Sequence, residues 1–199
     1  MTEEKKDLTI SKMEELLVTP NKKIELEKFV LSHVAEFIDL TAEENISLQR
    51  QGSLQIPELT NRLDEYEKRG EKLQKIIILL AKWGEEKQLL LLEKIFISLI
   101  KANKQVNGDT CWLRLRVFPI QLLMYSGGIV ALEAQNYKAL KIILENKFED
   151  EFYNVNSLIA YINKYSLNEY FKLIPGYEKK YIPQNEYLFE KLEIKLKEF

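Results

Sequence analysis

Residues 112–145 read WLRLRVFPIQLLMYSGGIVALEAQNYKALKIILE, and the assignment of this stretch decides the fold. Between residues 120 and 134 only Gln121, Ser126 and Glu133 are polar, so a helix here has no clear polar face and has to be surrounded by its neighbours. The preceding Leu113-Arg114-Leu115-Arg116-Val117 alternates as a strand would. No second convincing strand exists to pair with it, and a lone strand is not stable, so helix is the reading. Pro119 restricts Phe118 and marks either a kink or a fresh helix start. Gly127 and Gly128 sit mid-helix, where each costs about 1 kcal/mol relative to alanine. Close approach of another helix against a surface without side chains is the expected compensation. A phosphate-binding role lacks the required glycine spacing and strand-to-helix context. Gln135-Asn136-Tyr137 then forms a tight connection into residues 138–145, closing an αα-hairpin.

Working outward, apolar residues at Ile10, Met13, Leu16 and Leu17 predict an amphipathic helix over 8–18. Thr19 and Pro20 suit the cap and first turn of a second helix running to Leu40. Residues 41–56 are less periodic, hold QRQGS at 49–53, and read as a loop and the best place for mobility. Pro57 is expected to open a helix that ends at Gly70 in a left-handed C-cap, with a separate, more buried helix over 71–82 stopped by Gly84. Another helix follows over 85–101, acidic in its first turn. NKQVNGDT at 103–110 is the clearest turn. The tyrosine-rich remainder predicts helices near 155–164, 167–173 and 185–197, its tyrosines forming partly buried rims between helices. The expectation is therefore an all-α, multi-helix bundle of antiparallel hairpins, 1–199 as one domain, with 1–18 peripheral. GGIVALEAQNYKAL looks like one tetratricopeptide-type hairpin, although no 34-residue recurrence accompanies it.

Composition narrows the function. Of 199 residues, 29 are Lys or Arg and 31 Asp or Glu, so no global field attracts a polyanion and nucleic-acid binding is disfavoured. Seven Gly and five Pro are few for this length, as in packed helices. The single cysteine, Cys111, excludes an internal disulfide framework and points to a reducing, cytoplasmic setting; beside Trp112 it reads as a small buried thiol. The charged N-terminus has no apolar signal-peptide core. Apolar runs at 76–81 and 89–100 are interrupted by charges and fall short of the roughly 20 residues that span a bilayer, so no membrane partner is expected.

Chemistry is sparse. His33 is the lone histidine and reads as structural; one His and one Cys do not make a zinc site. GxSxG, HExxH and P-loop patterns are absent. Carboxylates at Glu14-Glu15, Glu43-Glu44, Glu85-Glu86 and Glu149-Asp150-Glu151 fit solvated surfaces. No catalytic residue, metal or cofactor is therefore expected. Arg114 and Arg116 stand out, because arginines flanked by Trp112, Leu113, Leu115 and Val117 must find carboxylates, carbonyls or a ligand anion. Two readings stay open: internal pairing, or, with Tyr125, a pocket for a small anionic ligand or nucleotide.

Three segments carry a resemblance. TPNKKIELEKFV at 19–30, LRLRVFPIQLLMYSGGIVALEAQNYKAL at 113–140 and YIPQNEYLFEKL at 181–192 resemble, in this order, the helical C-terminal region of large bacterial proteins with an N-terminal Sir2-like or TIR-like effector domain. Phe118 stands where that family has Tyr before Pro119, Ser126 replaces an Ala, and Asn185-Glu186 stands for Ser-Asp. Such proteins look like antiviral defence systems whose catalysis belongs to the N-terminal module. The resemblance implies a non-enzymatic interaction or regulatory domain here, its partner an effector domain or another copy of the chain.

Overall fold

The computed structural model describes residues 8–49, 52–103, 108–148 and 157–196. Among the described residues there are ten helices: α1 Leu8–Val18, α2 Lys23–Leu40, α3 Ile56–Trp83, α4 Glu86–Ala102, α5 Thr110–Leu115, α6 Phe118–Glu133, α7 Tyr137–Glu145, α8 Leu158–Lys164, α9 Asn168–Phe171 and α10 Pro183–Leu196. No strand occurs among the described residues, so the chain is an all-α bundle. The expected turn positions 104–107, the acidic run 149–151, residues 50 and 51, and Val155 lie outside the described residues.

α6 is the spine. Its lack of a polar face is resolved by two cores, one on each side. One gathers Met13, Val30, Ile77, Leu92, Phe96 and Ile143 around α1, α2, α4, α7 and the C-terminal half of α3. The other gathers Leu48, Leu59, Tyr66, Trp112, Phe118 and Phe171 around the N-terminal half of α3, α5, α9 and α10. By length and composition alone Thr110–Glu133 is apolar enough to cross a bilayer, a stretch the run-by-run reading passed over. In the bundle 72% of its apolar window is buried, the position of a core helix.

Several expectations need correction. α3 is one helix of 28 residues rather than two. Gly70 does not cap; it is buried mid-helix facing α2, where a Cβ would sit 3.5 Å from the Phe37 ring, an ordinary contact. Thr19 closes α1 instead of opening α2, its hydroxyl donating to the Glu15 carbonyl at 2.6 Å. α1 is no peripheral attachment, since Met13 and Leu16 are fully buried in the first core. The connection after α2 is likewise anchored, with Ile46 and Leu48 buried and the Leu48 carbonyl accepting from Asp109 N at 2.9 Å.

The α6–α7 hairpin turns as expected. The Asn136 side chain caps α7 by accepting from Ala139 N at 3.2 Å. The α3–α6 pair instead runs parallel: Gln74 Nε2 donates to Ser126 Oγ at 2.8 Å, Ile77 faces Gly127, and Asn136 Nδ2 reaches the Gly84 carbonyl at 3.3 Å. α4 makes this possible by carrying the chain back between them.

Candidate functional site

α5 begins where Asp109 accepts from Cys111 N at 3.0 Å, and ends at Arg116, whose carbonyl accepts from Asn103 Nδ2 at 3.1 Å. This fixes the arginine-bearing entry against the end of α4. The half-buried Arg116 then lines a recess of about 20 Å³ together with Phe37, Thr41, Tyr66, Asn103 and Pro119. Such a volume holds one or two water-sized groups; nucleotide pockets are an order of magnitude larger. The recess therefore has no room for a nucleotide.

The three residues singled out from sequence do not converge there. Arg114 is half-buried and does not line the recess. Tyr125 lies nine residues beyond Arg116, roughly 13 Å along a helix, and stacks on Phe189 of α10 with ring centroids 5.4 Å apart. Neither Arg114 nor Arg116 makes an ion pair or side-chain hydrogen bond with another described residue.

Carbonyls and carboxylates are instead met by two arginines to which the sequence drew no attention. Arg69 donates to the Leu40 carbonyl at the end of α2 and pairs with Glu65 at 3.0 Å. Arg62 donates to the Ser47 carbonyl, pairs with Glu58 at 3.3 Å, and lies 4.0 Å over the buried Trp112 ring. Arg62, Tyr66 and Arg69 are spaced i, i+4, i+7, one face of a helix, directly after a polar connection. That spacing was the signal available.

Polar groups also dock the C-terminal helices. Gln184 Nε2 donates to Gln121 Oε1, Gln121 Nε2 donates to Asn185 Oδ1 at 3.0 Å, and Gln184 Oε1 accepts from Leu167 N at 2.7 Å. Both glutamines are buried, so each bond is worth keeping, because an unmade one costs the full desolvation of the amide. Nearby, Tyr187 donates to Glu67 at 3.3 Å and Lys191 pairs with Asp64 at 3.3 Å. His33 hydrogen-bonds the Phe29 carbonyl through Nδ1 at 2.8 Å, and Cys111 is buried, as its place beside Trp112 suggests. No cluster of three or more His, Cys, Asp or Glu side chains suited to a metal occurs among the described residues.

Burial pushes the Tyr66 hydroxyl up to about 12, against the opposing pull of the Arg116, Arg62 and Arg69 guanidiniums. Unfolded, the phenol ionises near its ordinary 10.0, so above that pH the unfolded chain holds fewer protons and stability falls as pH rises to about 12. The expected slope is about 1.4 kcal/mol per pH unit for this one tyrosine. Urea midpoints at pH 9 and 11 measure it. An equal slope in Tyr66→Phe would place the effect on other groups.

Comparison with family models, curated proteins and solved structures finds no match for the chain.

Proposed function

We propose that the chain is a non-enzymatic interaction or regulatory domain that docks a protein partner on one end of its bundle. The observation that carries this reading is a set of exposed apolar side chains where α1, α3 and α6 finish and α4 and α7 begin. Gln88 Nε2 donates to the Leu17 carbonyl at 3.0 Å, Asn136 Nδ2 to Gly84 O at 3.3 Å, and Lys138 pairs with Glu86 at 3.4 Å. These contacts bring the five helix ends together. Exposed there are Val18 at 78%, Trp83 at 49%, Leu132 at 57% and Tyr137 at 63%. Single exposed apolar residues are ordinary, whereas large ones gathered at one place mark interaction surfaces. Trp and Tyr are the side chains that most often anchor such contacts.

The partner is a second copy of the chain or an effector module, and a part in bacterial defence rests on the resemblance alone. The lone, buried Cys111 supports a reducing, cytoplasmic setting. Light scattering over a concentration series, and titration with any effector module encoded beside the chain, test the reading. We expect association that Trp83→Glu with Tyr137→Glu abolishes while the helical circular dichroism signal is retained. A monomer at all concentrations that binds no such module defeats it, as does a double variant that associates like the parent.

A further inference from the structure

We propose that the outer face of α4, with the adjoining strip of α2, docks an acidic amphipathic helix of a partner protein, on a surface separate from the Trp83–Tyr137 end of the bundle. Lys87, Lys94 and Lys101 are exposed and spaced by seven, so they form one stripe along α4, roughly 21 Å from first to last. Between them stand Leu90, 50% exposed, and the half-buried Ile97. The stripe holds no carboxylate, although the whole chain carries more acidic than basic residues, 31 against 29. Glu86 and Glu93 lie on the side of α4 toward α7: Glu86 pairs with Lys138 at 3.4 Å, and the Glu93 carbonyl accepts from Asn146 Nδ2 at 3.4 Å. Lys87 and Lys101 have no carboxylate partner among the described residues.

The neighbouring helix completes a valley. Glu27 of α2 pairs with Lys94, and further along both helices Phe37 and Leu99 line one recess, so α2 and α4 run side by side and parallel. Ile24, 72% exposed, exposed Lys28 and half-buried Leu31 follow the same helical spacing as Glu27 and so border the valley. Its rims carry lysines and its floor carries Leu31 and Ile97, and an occupant has to meet both. A second copy of the chain would set lysine against lysine, which is repulsive. A layer of anionic lipid headgroups is flat and reaches the exposed lysines but not the half-buried floor. A helix laid lengthwise presents leucines to the floor and glutamates to the rims, the helix-in-groove mode of recognition. The charge of the rims selects an acidic one.

The experiment is fluorescence anisotropy of a labelled synthetic peptide of roughly five helical turns, with leucines on one face and flanking glutamates repeated every seven residues, titrated with the full chain. A scramble of the same composition, a counterpart with lysine for glutamate, and vesicles of phosphatidylcholine with phosphatidylserine serve as comparisons. We expect saturable binding of the glutamate peptide, weaker at high salt, and little binding of the scramble or the lysine counterpart. Leu90→Ser, and Lys87→Glu combined with Lys101→Glu, should each weaken it about tenfold or more, with the helical circular dichroism signal retained because all three positions are exposed. Trp83→Glu with Tyr137→Glu should leave this binding unchanged, which separates it from docking at the bundle end. Absence of saturable binding, equal affinity for the scramble, or binding that survives both sets of substitutions overturns the proposal. So does association with the vesicles, lost in the double lysine variant, without binding of the peptide.

Discussion

Gly127→Ala is expected to destabilise the fold by about 1–3 kcal/mol, the usual range for overpacking a core, while Gly128→Ala stabilises it by about 0.5–1 kcal/mol, the helix preference for alanine. The two glycines are adjacent, yet their surroundings differ. A Cβ on Gly127 would lie 2.7 Å from Ile77 Cγ2 and 3.0 Å from Ile143 Cδ1. Ile77 and Ile143 are fully buried, and the γ2 methyl hangs from a branched Cβ whose rotamer is nearly fixed within a helix. α3 and α6 would have to move apart. A Cβ on Gly128 meets only Leu140 Cδ1 at 4.0 Å, so nothing opposes its intrinsic gain. Urea unfolding of both variants measures the contrast. The contact itself is isolated by Ile77→Ala, which costs about 2–5 kcal/mol alone and removes the clashing methyl. Gly127→Ala should cost less in that background, and strict additivity would show that the steric contact is not the cause.

The glycine pair also marks how far the sequence could be read. Two mid-helix glycines implied a close neighbour, and α3 and α7 supply it. Which glycine bears the contact depends on how α6 is rotated, and a helix apolar on every side carries no polar face to orient it. Gly70 shows the converse limit. A glycine after an amphipathic run looks like a C-cap, but α3 continues because Leu73, Ile76, Ile77 and Leu80 beyond it are buried in the first core. Burial outweighs a cost of about 1 kcal/mol. Arg114 and Arg116 drew attention through their flanking residues, whereas the arginines that close carbonyls are Arg62 and Arg69. Their acceptors, the Ser47 and Leu40 carbonyls, become neighbours only once α2 lies against α3. The Gln121–Gln184 bond joins positions 63 residues apart, and no local pattern announces such a pairing. Helices, the central apolar spine and the α6–α7 hairpin were legible because their signals are local; the parallel α3–α6 pairing, the Gln121–Gln184 bond and the recess are consequences of long-range packing.

Phe118→Ala is expected to cost about 3–5 kcal/mol and to loosen α9 and α10 before the rest of the molecule. Phe118 is fully buried. Its ring lies 6.1 Å from Phe171 of α9 and 6.2 Å from Tyr187 of α10, and those two rings are 5.2 Å apart. α9 and α10 thus meet the spine at an aromatic triangle, beside the Tyr125–Phe189 stack and the Gln121 hydrogen bonds. Truncating its apex leaves a cavity beside the buried Gln121–Gln184 bond. Water reaching that bond would weaken it, since a buried polar contact gains from a dry surrounding. The loss should therefore exceed that of an isolated ring. Amide hydrogen exchange locates it: protection is expected to fall first in Asn168–Phe171 and Pro183–Leu196, with α1 and α2, which belong to the opposite core, least affected. Phe118→Leu retains most of the buried volume and should recover much of the stability. Uniform loss of protection along the chain would contradict the division into two cores, because a cavity in one would then be felt equally in the other.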